Sequence, residues 1–177
     1  MIDNGSSYTK NLTTFLSDKK TKFVSQKFDQ INSSNISKFN SFILSGRRKN
    51  NRKINAVNSK IIKHAISEKK SLLGICYGAE ILALTLGGAI KKSVKHVKGE
   101  ETVIVEKENE ICQGEINVIE SHNYEISQLG NNLHSLASSK SCKYEIVKHN
   151  ELDIFGTQFH PEMSNDGQSM IQAFLSI

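Results

Sequence analysis

The stretch LLGICYGAEIL, residues 72–82, sets Cys76 midway between Gly74 and Gly78, with an apolar run before it and a helix-compatible pattern after it. A glycine two residues before and two residues after a nucleophile, on a strand-to-helix turn, is the arrangement that G-x-S-x-G makes for serine hydrolases. Here the same spacing presents a thiol. The glycines leave room for a strained turn and for close packing of the helix. The side chain would stand at the helix N-terminus, where the dipole favours the thiolate, the reactive form of cysteine. The backbone N–H of Tyr77 would face a developing oxyanion. On its own the pattern is equally that of a small buried hydrophobe.

The other end of the chain separates the two readings. In GTQFHPEM, residues 156–163, an extended run ends in His160, and Glu162 lies two residues on, across Pro161, the one proline of the protein. Proline fixes its own φ and biases its neighbour to an extended form, so the two side chains flanking it are held in a reproducible relation. A cysteine, a histidine and a carboxylate to orient the histidine are what thiol acyl transfer requires. His64, His96, His134 and His149 lack such a setting and read as structural.

These residues need a frame that brings residue 76 to residue 160. The N-terminal half alternates short apolar runs with helix-compatible segments, as β-α units of a parallel sheet do. Strands are expected at KFVSQKF from Lys22, SFILSG from Ser41 and SLLGIC from Ser71. Helices are expected at YTKNLTTFLSDK from Tyr8, AVNSKIIKHAISEKK from Ala56 and YGAEILALTLGG from Tyr77, the last ended by Gly87 and Gly88. Only Met1 and Ile2 precede Asp3, so the first strand is short. Further on, TVIVEK from Thr102, INVIES from Ile116, LHSLASS from Leu133 and YEIVKH from Tyr144 read as antiparallel strands. DIFGTQFH from Asp153 reads as a last central strand, and GQSMIQAFLSI from Gly167 as a closing helix. No internal repeat or linker is visible across residues 1–177, which read as a single domain.

Composition narrows the function classes. With 177 residues and 37% hydrophobic content the chain can bury a core. No run approaches the 18 or so apolar residues of a membrane span, and the N-terminus lacks a secretory pattern, so a cytoplasmic location is expected. Three cysteines with no CxxC pair suggest neither a disulfide framework nor a zinc ribbon. The net charge of +5 is scattered apart from GRRKNNRK, residues 46–53, which speaks against nucleic acid as the partner.

Together GICYGAE and TQFHPE resemble the class I, or triad-type, glutamine amidotransferases. IDNGSSYTKNL at the start and FILSG before the basic run are also similar to that family, so the resemblance covers nearly the whole chain. It implies an α/β, flavodoxin-like three-layer domain with a central, mostly parallel sheet and an antiparallel extension. It implies a catalytic triad of Cys76, His160 and Glu162 that hydrolyses glutamine to glutamate and ammonia through a γ-glutamyl thioester. The implied oxyanion donors are the backbones of Tyr77, Gly46 and Arg47, and the implied substrate-binding residues are Glu80, Ser121, His122, Asn123 and Tyr124. No metal or cofactor is expected in this chain. ATP and magnesium would belong to a synthetase partner that accepts the ammonia, an ATP pyrophosphatase if the chain follows its strongest likeness, the glutaminase subunit of archaeal-type GMP synthases. The small subunits of anthranilate and aminodeoxychorismate synthases are the alternative, and a weakly active or inactive regulatory module is another. Two departures from the family pattern stand out. Arg47 and Arg48 follow Gly46 where the family has another glycine and a proline, and Glu80 stands where it generally has glutamine.

Overall fold

The apolar runs flanking the chemistry become the middle of one sheet in the computed structural model, which describes residues 1–31 and 36–177. Five strands run parallel: β1 (Ile2–Asp3), β2 (Gln26–Lys27), β3 (Ser41–Leu44), β4 (Ser71–Ile75) and β9 (Ile154–Thr157). Strand β9 is buried at every position and β4 at all but its first, which explains their unbroken apolar sequences, since central parallel strands are covered on both faces. Four more strands, β5 (Ala89–Val105), β6 (Glu115–Gln128), β7 (Leu133–Ser138) and β8 (Ile146–His149), extend the sheet in antiparallel fashion. The order across the sheet is β2-β1-β3-β4-β9-β8-β7-β5-β6. The expected three-layer α/β architecture, parallel core and antiparallel extension, is thus present.

Helices cover both faces. Helices α1 (Thr9–Asp18) and α4 (Asn165–Phe174) bring Leu12, Phe15, Leu16, Met170, Ile171 and Phe174 against Leu73 and Phe155 on one side. Helices α2 (Arg52–Ser67) and α3 (Tyr77–Thr85) bring Ile54, Ile61, Ile62, Ala65 and Leu82 against Phe42, Leu72 and Ile154 on the other. Asn51 caps α2 by accepting from the Lys53 N–H, and Ser164 caps α4 by accepting from that of Gly167. Helix α3 is buried from Tyr77 to Ala83, so its sequence is apolar all round apart from Glu80.

Two expected strands are redrawn. KFVSQKF yields only Gln26–Lys27, followed by a 3-10 turn at Phe28–Gln30; Val24 is 48% exposed and the segment lies at the sheet edge beside the two-residue β1. TVIVEK is the last part of β5, a strand of 17 residues that begins at Ala89 and pairs along β6. The helix expected from Ala56 begins earlier, at Arg52.

Candidate active site

Strand β4 delivers the candidate nucleophile, Cys76. The Cys76 N–H donates to the Thr157 carbonyl at 2.7 Å, closing the β4–β9 ladder, and the chain then turns sharply into α3. Cys76 itself has φ +50° and ψ −104°, a combination side-chain-bearing residues rarely hold unless their surroundings impose it. The surroundings are visible at both glycines. A Cβ on Gly74 would lie 2.5 Å from the Gly78 carbonyl carbon and oxygen, and a Cβ on Gly78 would lie 2.5 Å from the Leu44 carbonyl oxygen. Helix α3 therefore sits on β3 and β4 at a spacing that only glycine permits.

Strand β9 delivers the second group to the same end of the sheet. Because Ile75 pairs with Thr157 in parallel register, the residues after both strands emerge together at the carboxyl edge, where open α/β sheets place their sites. The His160 N–H is anchored to the Ile119 carbonyl of β6 at 2.9 Å. His160 Nδ1 lies 3.0 Å from Glu162 Oε1, with both side chains buried. An ionised carboxylate only accepts, so Nδ1 carries the proton of that bond and Nε2 is left as the basic atom. Two more contacts fix the ring. A Cβ on Gly46 would come within 3.0 Å of His160 Cε1, and the Tyr8 ring meets the imidazole edge-on with centroids 4.5 Å apart.

A cavity of about 250 Å³ opens at this edge. Of the residues expected in the site, Arg47, Cys76, Tyr77, Glu80, Ser121, His122, Asn123 and Tyr124 line it. Gly46, His160 and Glu162 do not; they are packed beside it. Arg48, Asn50 and Ile90 also contribute, although the sequence pattern does not single them out as site residues. Arg47 is held by three contacts. Its guanidinium stacks 3.9 Å from the Tyr77 ring centroid, and its Nη1 donates to Asn50 Oδ1 at 2.9 Å and to Asn55 Oδ1 at 2.7 Å. The Tyr77 hydroxyl donates to the same Asn55 oxygen at 2.9 Å. Arg52 and Lys53, at the end of the basic run, open α2.

The electrostatics oppose an idle thiolate. Burial pushes the Cys76 thiol well above its ordinary pKa; the charges of Glu80, Glu120 and Glu162 add to this, and the Tyr77 N–H opposes it. Burial also raises Glu80, against the pull of the Arg47 charge, a hydrogen bond with Gln158 and the charge of His122. A thiol in this setting is suited to losing its proton to a base as it attacks rather than to resting ionised. A cavity that joins one thiol, one carboxylate and two guanidiniums suits a small zwitterion bearing an acyl group.

The comparisons with known proteins place the chain in a family and support its fold. The family model "Glutamine amidotransferase class-I" matches residues 1–176. A subunit of the glutamine-hydrolysing GMP synthase of Pyrococcus abyssi is 32% identical over 123 residues, 67% of this chain and 65% of the relative. The corresponding subunit of Sulfolobus acidocaldarius is 36% identical over 110 residues, 59% of this chain and 58% of the relative. The match thus spans about two thirds or less of those relatives' lengths. Among solved structures, a Thermoplasma acidophilum protein provisionally described as a GMP synthase subunit superposes with a TM-score of 0.88 at 28% identity, covering 99% of this chain and 90% of its own. A glutamine amidotransferase of Thermotoga maritima shares the fold, with a TM-score of 0.75 at 16% identity over 92% of this chain and 75% of its own.

Proposed function

Because the chain belongs to the class I glutamine amidotransferase family, we propose that it is a glutaminase subunit that passes ammonia to a synthetase, with Cys76, His160 and Glu162 as its triad. One observation carries the reading above the others: the cysteine held at a strained elbow in the cavity wall, with a carboxylate-oriented histidine three residues beyond the end of the neighbouring strand.

In this reaction His160 Nε2 takes the proton of Cys76 as the sulfur attacks the side-chain amide carbon of glutamine. Glu162 holds the imidazole in the required tautomer and stabilises the imidazolium that forms. The N–H of Tyr77, together with backbone donors at Gly46 and Arg47, receives the oxyanion; an interaction of this kind contributes roughly 3 kcal/mol to barrier lowering. His160 then protonates the departing ammonia, and water cleaves the thioester. Glu80 receives the substrate ammonium and the 121–124 segment holds its amino-acid end.

The relatives named as GMP synthase subunits support an ATP pyrophosphatase as the acceptor of ammonia, with ATP and magnesium bound there and none required in this chain. A cytoplasmic location fits that role. The decisive experiment is Cys76→Ala, which is expected to abolish glutamate release and thioester trapping while leaving the circular dichroism spectrum unchanged; undiminished release by the variant refutes the assignment. The raised Cys76 thiol, with Glu80 contributing to it, favours a refinement, namely that the isolated chain is slow and the partner activates it. Glutamate release measured alone and with the candidate synthetase checks this, and full activity alone is the contrary result. Productive coupling to a chorismate-using synthase instead would move the chain to the anthranilate branch.

A further inference from the structure

Beneath the cavity wall lies a group of ionisable side chains that the triad does not use. Glu120 on β6 and Glu145 just before β8 are 1% and 0% exposed, and their carboxyls reach one another. With both ionised, Glu120 Oε1, Glu120 Oε2 and Glu145 Oε2 are buried without a hydrogen bond, since two carboxylates can only accept. One proton between them converts that repulsive contact into an O–H···O bond.

The contacts on either side form a chain that ends at the cavity. Ser139 Oγ donates to Glu145 Oε1 at 2.6 Å. Glu120 Oε2 lies 3.2 Å from His122 Nε2, which is likewise buried without a hydrogen bond, so that contact too needs a proton between its two atoms. His122 Nδ1 is 2.9 Å from the Tyr124 carbonyl, and because a carbonyl only accepts, Nδ1 is the donor there. Gln158 Nε2 donates to the same carbonyl at 3.2 Å. Tyr124, like His122, lines the cavity.

We propose that Glu120 and Glu145 form a carboxylic acid–carboxylate pair that holds one proton between them and, through His122, positions the Ser121–Tyr124 wall of the cavity. Both are positioning residues. That the wall binds glutamine rests on the function proposed above; that the pair holds the wall does not. Burial is the main cause that raises both groups, Glu120 to about 7 and Glu145 to about 9. The groups facing the pair come from every neighbouring element: Glu101 from β5, His122 from β6, Ser139 and Cys142 from the β7–β8 connection, and Cys76 at the elbow, while the Gln158 N–H beyond β9 donates to the Glu145 carbonyl. When the shared proton is lost at alkaline pH, two like charges meet in the interior and the tie through His122 to Tyr124 loosens.

Infrared difference spectroscopy tests the pair and amide NMR tests its coupling to the wall, both on the full chain. At neutral pH the wild type is expected to show the carbonyl stretch of a protonated carboxyl that disappears as pH rises through about 9. The amide resonances of Ser121–Tyr124 are expected to shift with the same midpoint. Glu145→Gln, whose amide donates permanently, is expected to lack the band and to hold those resonances constant. Should that variant not fold, Glu120→Gln removes the shared proton in the same way and serves instead. The proposal is overturned if the variant keeps the whole band, or if the band titrates while the 121–124 resonances stay in place. Glutamate release, assayed in parallel, is expected to show KM for glutamine rising about tenfold on the alkaline side in wild type and remaining flat in Glu145→Gln. Absence of any glutamate release would count against the glutaminase reading alone, because the spectra decide the pair without it.

Discussion

At Cys76 three carboxylates and burial act in one direction on one thiol, and Glu80 is first among the charges. Replacing Glu80 by glutamine removes that charge from the cavity while keeping its shape. The stabilised species is then the thiolate, so the thiol pKa falls; one unit of fall is tenfold more thiolate at any pH below it. Glu80→Gln is accordingly expected to raise the rate of Cys76 alkylation by iodoacetamide at neutral pH by roughly tenfold. An unchanged rate would show that the Glu80 charge does not act on the thiol. Cys76, His160 and Glu162 stood out in the sequence as candidates because nucleophile chemistry restricts residue types, and because the elbow demands glycine at two fixed offsets. Glu120 was less visible. Its signal was a glutamate at position 120 in the alternation Ile116, Val118, Glu120, His122, the set that turns inward on β6. Burial of a charge shows only once its partners from other strands are in place.

Among the elements, the junction of β3, β4 and α3 has the least slack. Gly78→Ala would drive a methyl group against the Leu44 carbonyl at 2.5 Å, where the obstacle is backbone rather than a movable side chain. The helix must lift or rotate, which is expected to cost about 1–3 kcal/mol in urea unfolding and to lower activity more than stability explains, since α3 carries both Cys76 and the Tyr77 N–H. Full activity with wild-type stability would show that the close contact is dispensable. The parallel strands of this junction were readable as continuous apolar runs, as strands covered on both faces must be. The β5–β6 ribbon was readable only in part. Between Lys91 and Glu101 most side chains of β5 are exposed, including Val94, so no inward-outward alternation marks the strand until Val103 enters the core. Pairing without burial leaves hydrogen bonds but no hydrophobic period. The edge segment after Lys22 failed in the opposite way: its apolar residues suggested a strand, yet Val24 stays half exposed and the ladder is two residues long.

For the molecule as a whole, the buried carboxyl pair ties stability to pH in a direction opposite to ordinary acid denaturation. Glu145 titrates near 4.5 when free in the unfolded chain and at about 9 in the fold. Between those values the native state holds a proton that the unfolded state has released, so unfolding free energy falls as pH rises. One such proton contributes a slope of roughly 1 kcal/mol per pH unit in that window, less whatever its coupling to Glu120 returns. Glu120, raised to about 7, adds in the same sense over the lower part of the window. Glu145→Gln removes the titration and leaves a hydrogen-bond donor in its place. The variant and wild type are therefore expected to diverge progressively between about pH 5 and pH 9, with the variant relatively more stable at the alkaline end. Urea unfolding at a series of pH values measures this difference directly, and parallel curves would show that Glu145 is ionised in the native protein, against the shared proton that the orphaned oxygens require.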